Sequence, residues 1–167
     1  MAEMTQQEMM ENWMKNATPG AQHERMAKEC GEYSVAMDEG GKTMSGDVKM
    51  EMILGGRVQL QRFTMDYQGM PFEGAGMMGY DNFTQRYWFT WNDNMSTGLF
   101  TLWGKEQDGG KKIVFEGAMD SPGMNMRDVP TRHMYTYLNE NEFMYQAWIF
   151  PGTAQEKKTM EMHYKRK

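Results

Sequence analysis

Gly74-Ala75-Gly76-Met77-Met78-Gly79 spells G-x-G-x-x-G, the spacing with which a glycine loop cradles a dinucleotide pyrophosphate. That chemistry needs a preceding strand, a following helix and a parallel sheet. Here Tyr80-Asp81-Asn82-Phe83 follows, a turn into another strand. The glycines are therefore read as a bend or a close strand approach in a barrel wall. His23, His133 and His163 form no sequence-local ligand pair. His23 falls on an apolar helix face and reads as a satisfied interfacial histidine. His163 shares a strand face with Thr159, Glu161 and Lys165, so it points to solvent and makes a poor haem ligand. The Met-x-Met pairs Met50/Met52, Met124/Met126 and Met160/Met162 would suit Cu(I). Chance pairs are expected among 22 Met, and core packing is the reading taken. No G-x-S-x-G nucleophile elbow is present. Asp81 and Asp93 stand at strand ends, where a carboxylate pair could do acid–base work but more often satisfies turn amides. No catalytic residue, metal or cofactor is expected.

The aromatic residues point to binding. Tyr87, Phe89 and Trp91 alternate along one strand face, Leu99, Thr101 and Trp103 along the next, and Phe143, Tyr145, Ala147 and Ile149 along a later one. An aromatic-lined barrel interior with a few polar groups suits a small apolar or amphipathic ligand. The candidate ligand-binding residues are Tyr87, Phe89, Trp91, Trp103 and Tyr145, with Arg57 or Tyr80 near the mouth because each adjoins a turn. Opposite parity would turn Trp88 and Arg86 inward. Arg57, Arg62, Arg86 and Arg132 lie among strand residues, and one of them inside would be a functional pointer. The alternative is a barrel filled by its own side chains, acting as an interaction module whose outer Trp88 face pairs with a second copy.

Elements to position these residues are written in the pattern. The 167 residues make one domain, 1–167. Eighteen Lys and Arg against 23 Asp and Glu give a net charge of −5, without the clustered cations that nucleic acid requires. Leu, Ile and Val are scarce, but 22 Met, 8 Tyr, 8 Phe and 5 Trp supply the apolar volume. A Met-rich core fills irregular space and adapts. Cys30 is alone, so no internal disulfide is expected. No signal-peptide pattern and no membrane-span length are seen, which makes the cytoplasm the expected location.

A helical segment is expected over 1–30. Thr5-Gln6-Gln7-Glu8 has capping-box spacing, and Met9, Met10, Trp13, Met14 and Ala17 follow at helical intervals. Thr18 as cap and Pro19 at the first position open a second helix, with His23, Met26, Ala27 and Cys30 on one face and Gly31 as its stop. Met10, Trp13, Met14, Met26 and Cys30 are expected to pack on the barrel. After Gly31 the period becomes two, over 31–167. Val35 and Met37 open a first strand, and Met44 to Leu54 alternate along a second. Further strands are predicted over 58–66, 72–80, 84–91, 97–104, 111–119, 127–138, 142–150 and 157–165. Short turns imply antiparallel neighbours, and about ten strands imply closure. The expected fold is all-β: a closed antiparallel up-and-down barrel of about ten strands behind an N-terminal helical segment.

A resemblance adds to this reading. Its residues are Ala17-Thr18-Pro19-Gly20 with His23, Leu54-Gly55-Gly56-Arg57, Gly69-Met70-Pro71-Phe72-Glu73-Gly74, Gly79-Tyr80-Asp81, Trp91 with Asp93, Gly104, and Tyr164-Lys165-Arg166. With these, residues 13–166 resemble the bacterial domain-of-unknown-function 1579 family. The resemblance implies a calycin, that is a lipocalin-like, barrel and no activity. Gly31-Glu32-Tyr33 is similar to the calycin Gly-x-Trp, with Tyr in place of Trp, and Arg166 would cover the ring.

Overall fold

The computed structural model describes residues 4–39 and 42–167. Among them are two α-helices, α1 (Gln6–Ala17) and α2 (Ala21–Lys28), and ten strands. The strands are β1 (Gly31–Glu39), β2 (Lys42–Ile53), β3 (Val58–Tyr67), β4 (Met70–Asp81), β5 (Arg86–Asp93), β6 (Phe100–Gln107), β7 (Lys112–Ser121), β8 (Met126–Asn139), β9 (Glu142–Ile149) and β10 (Lys157–Arg166). Each pairs antiparallel with its sequence neighbours, and β1 also pairs with β10, so the sheet closes on itself. The turn read at Gly40-Gly41 lies outside the described residues.

Alternation builds the interior. On β8, Val129, Thr131, His133 and Tyr135 are buried, while Pro130 is exposed and Arg132, Met134 and Thr136 are half-buried on the outer face. Tyr33, Tyr87, Phe89, Leu102, Ile113 and Phe115 are almost fully buried and form the centre of the core. Methionine does supply part of it, through Met26, Met50 and Met78. The glycine spacing on β4 has a packing cause. A Cβ on Gly74 or Gly76 would meet the Trp91 indole at 2.2 and 2.9 Å, and one on Gly79 would meet Trp88 at 2.3 Å. The inward glycines seat one indole inside the wall, and the outward glycine seats another outside it.

Helix α2 closes one end. Its N-cap is Gly20, not Thr18, and the His23 ring accepts the Gly20 amide at 3.1 Å. The helix therefore begins at Ala21, and Pro19 lies outside it. Met26 is 0% exposed and enters the core. Glu29 and Arg25 carry the seal onward. The Arg25 guanidinium reaches Glu29 at 3.1 Å and Glu106 at 3.0 Å, while the Tyr137 hydroxyl donates to Glu29 at 3.0 Å and Tyr87 donates to Glu106 at 2.5 Å. Burial pushes the Glu29 carboxyl above its ordinary value, and Arg25 only partly offsets that. At the same end the Arg166 guanidinium lies 4.8 Å from the Tyr33 ring centroid and donates to the carbonyls of Cys30 (2.7 Å) and Lys28 (2.8 Å).

Helix α1 behaves otherwise than its periodicity suggests. The Thr5–Glu8 capping box forms, with Thr5 and Glu8 exchanging backbone amide bonds of 2.8 and 3.2 Å. Its last turn is pinned by Arg57 donating to the Ala17 carbonyl at 2.9 Å and by Asn82 bridging the carbonyls of Asn16 and Thr18. Met10, Trp13 and Met14 do not pack on the barrel; Trp13 is 74% exposed. Periodicity places apolar residues on one helix face but does not supply a surface to cover them. No helix among the described residues is long and apolar enough to cross a membrane.

Candidate functional site

The end opposite α2 is open, and a cavity of about 230 Å³ runs from it into the barrel. Phe89, Trp91 and Phe100 wall one side, and Tyr145, Ala147 and Met162 the other. A shallower vestibule above it is lined by Met37, Asp38, Tyr67, Phe72, Met95, Thr159 and Met160, of which Phe72, Thr159 and Met160 also border the cavity. The Trp91 indole lies against Gly74 and Gly76, 6.3 Å from Phe89 in a stacked pair, and its Nε1 donates to Asp93 at 2.9 Å. The ring is thus held by packing on one side and by a hydrogen bond at its tip.

Polar groups enter from β8, β9 and β10. The Thr131 hydroxyl donates to the Trp148 carbonyl at 2.8 Å, so it must accept from His133 Nε2 at 3.0 Å. That places the imidazole proton on Nε2 and leaves Nδ1 to accept the Tyr145 hydroxyl at 2.5 Å. The chain of donors is complete, and both ring nitrogens are occupied. His133 is 4% exposed, and burial pulls its pKa down to about 4. It is a neutral imidazole whose one lone pair is already taken by Tyr145. Burial raises the phenols of Tyr135, Tyr145 and Tyr164 above their ordinary value, so all three keep their protons. A second relay runs from the Tyr135 hydroxyl to Gln61 (3.4 Å), from Gln61 to Gln59 (2.8 Å) and from Gln59 to the Met26 carbonyl (3.0 Å). It ties the cavity floor to α2.

The seven candidate residues do not all meet. Phe89, Trp91 and Tyr145 line the cavity. Tyr87 shares their strand face but lies nearer α2, its hydroxyl committed to Glu106. Tyr80 is at the closed end, its ring edge-on to His23 and Tyr87 at 6.1 and 4.9 Å. Arg57 is exposed there too, held by the carbonyls of Ala17, Leu54 and Gly55. Neither is at the mouth, because the turns at 54–57 and 81–86 both gather beneath the helices. Trp103 is 40% exposed on the outside, paired across the strands with Trp88 and covered by the Arg86 guanidinium at 3.9 Å. Phe100, Leu102 and Gly104 take the inner positions instead, because Gly104 faces Phe115 where no Cβ fits.

Other motifs resolve similarly. Asp81 accepts from the Phe83 amide and the Thr84 hydroxyl at the closed end, and Asp93 accepts from Trp91 and the Met95 amide at the mouth, so they form no carboxylate pair. Arg62, Arg86 and Arg132 are outside, the last stacked 4.9 Å from Trp148. His163 is also outside, 3.5 Å from Glu161. Among the described residues no three His, Cys, Asp or Glu side chains gather as a metal-binding group. His133, Thr131, Tyr135, Tyr164 and Gln61 were not among the sequence candidates. Alternation on β8 puts Thr131, His133 and Tyr135 on the face of Val129, and that was the available signal.

Comparison with curated proteins returns no match. The family described as protein of unknown function (DUF1579) matches residues 18–166. That span holds α2 and all ten strands, every element that builds the cavity and its seal, and the chain belongs to the DUF1579 family.

Proposed function

We propose that the protein binds a small apolar or amphipathic molecule inside the barrel and does no chemistry on it. The supporting observation is the open cavity of about 230 Å³, aromatic on its walls and polar at a few fixed points. A dry apolar cavity of about 150 Å³ accepts benzene, so this one suits a ligand of one ring with a short substituent, or of two. His133 offers no free lone pair for acid–base catalysis, since Tyr145 and Thr131 occupy both nitrogens. Isothermal titration with small aromatic compounds, retinoids and fatty acids tests the reading. One small aromatic per chain is the expected result, with retinoids rejected by size. No heat with any compound would leave the barrel as a scaffold.

A second reading is an interaction module that pairs with another copy. The Trp88 face gives it little support, because Trp88 packs on Gly79 and Arg86 covers Trp103. What favours it is the uncovered face of α1, with Met9, Met10, Trp13 and Met14 all exposed. Sedimentation equilibrium separates the two: the ligand-binding reading needs only a monomer.

A further inference from the structure

We propose that the cavity selects an uncharged ligand carrying a hydrogen-bond acceptor, such as an aryl ketone, aldehyde or ester, and rejects carboxylates. This rests on the ligand-binding reading above and names the chemical class. Two observations carry it: the donors that lack a strong partner, and the sign of the charge around the entrance.

The donors come first. The Tyr164 hydroxyl is buried, and its partner is the Met162 thioether sulfur at 3.3 Å, a weak acceptor. The Tyr135 hydroxyl is also buried and reaches Gln61 only at 3.4 Å, a long bond for a phenol. Both residues line the cavity. Tyr145 differs, since its proton is committed to His133. Two phenols thus face an apolar space with bonds that a carbonyl oxygen would improve. Replacing a contact to sulfur by one to oxygen strengthens the complex with no new desolvation of the protein.

Charge sets the other half of the selection. Among the described residues no Lys or Arg lines the cavity or its vestibule, and the charged side chains that do are Asp38 and Asp93. His133 is neutral by its hydrogen bonds and by burial, so it supplies no countercharge. A carboxylate entering would pass two like charges and lose its hydration against neutral donors alone. A cation fares no better inside. Deeper in, the polar side chains are neutral, and Asp93, the one anion among the described residues of the cavity lining, stands at the mouth with its charge shared by Trp91 at 2.9 Å and the Met95 amide at 3.0 Å, so a cation would lose its hydration inside without a counterion.

A matched series of one-ring compounds tests this with the whole chain at about pH 7.5. Acetophenone, methyl benzoate, ethylbenzene, benzoate and benzylamine differ in head group and little in size. By isothermal titration acetophenone and methyl benzoate bind about 10-fold tighter than ethylbenzene and about 100-fold tighter than benzoate. In Tyr164→Phe and Tyr135→Phe the advantage of acetophenone over ethylbenzene shrinks towards about 2-fold. Benzoate or benzylamine binding as tightly as acetophenone overturns the proposal while leaving a ligand-binding barrel in place. Equal affinities for ethylbenzene and acetophenone do the same. Silence from the entire series overturns the ligand-binding reading, and this proposal with it.

Discussion

Acid should unfold this barrel partly through one imidazole. His133 is buried, and its pKa is held down to about 4 by the loss of hydration. In the unfolded chain the same group titrates at about 6.5. The folded value is the lower, so the contribution to stability is complete above about pH 6.5. It is lost as pH falls through the interval down to about 4. Across that gap the linkage amounts to about 3 kcal/mol, at about 1.4 kcal/mol for each pH unit. That is a large part of a domain's usual margin of about 5–15 kcal/mol. His23 is also buried with a lowered pKa and acts in the same direction, while Glu29, raised by burial, acts in the opposite one. The contribution of His133 is therefore read as a difference. In His133→Gln the carboxamide accepts from Tyr145 and donates to Thr131 but does not titrate. Urea unfolding followed by circular dichroism, at about pH 7, 5.5 and 4, gives the stability of both proteins. The wild type should lose about 3 kcal/mol more than the variant over that range. Parallel losses, within about 0.5 kcal/mol, would show that His133 takes up its proton in the fold as readily as in the unfolded chain and would refute the buried neutral imidazole assigned here.

Other substitutions separate close packing from mere apolarity. Gly79→Ala should lower stability by about 1–3 kcal/mol, because the Trp88 indole stands 2.3 Å from the new Cβ; a thermal melt reads it. Trp13→Ala should change the melting temperature little, with a cost under about 0.5 kcal/mol, since that ring is 74% exposed. Met26→Ala should cost about 2–5 kcal/mol by the same measurement, because it empties a site that is 0% exposed. Arg166→Lys should cost about 1–3 kcal/mol, read by urea unfolding, as an ammonium lacks the fork that reaches both carbonyls from above the Tyr33 ring.

Much of the fold was legible because its signal is local. Period two after Gly31 and turn chemistry located the strands, whereas Tyr33 and Arg166, 133 residues apart, do meet but were named by the family resemblance and not by a local signal. The interior was harder. Around β6 both faces are apolar, with Leu99, just before the strand, and Trp103 on one and Phe100 and Leu102 on the other, so alternation alone did not choose between them. The register that sets Trp103 against Trp88, and the fit of Gly104 to Phe115, made the choice. Adjoining turns place Arg57 and Tyr80 at an end of the barrel without saying which. A barrel has turns at two ends, and where the helices sit is a tertiary fact. The polar floor was missed for a different reason. A lone histidine without a second ligand nearby in sequence carries only its strand parity as a signal, and the partners of His133 are Thr131 on its own strand and Tyr145 on the next.

The methionines provide the most direct test of the central claim, that a small uncharged ligand enters the barrel from the end opposite α2. Met119, Met160 and Met162 border the cavity, while Met9, Met10 and Met14 lie exposed on α1. A methyl NMR spectrum of isotope-labelled methionine, recorded while acetophenone is added, reads both places at once. Saturable shifts at Met119, Met160 and Met162, with Met9, Met10 and Met14 unmoved, are what this account predicts. Shifts confined to the α1 methionines, or none at any of the six, would contradict it.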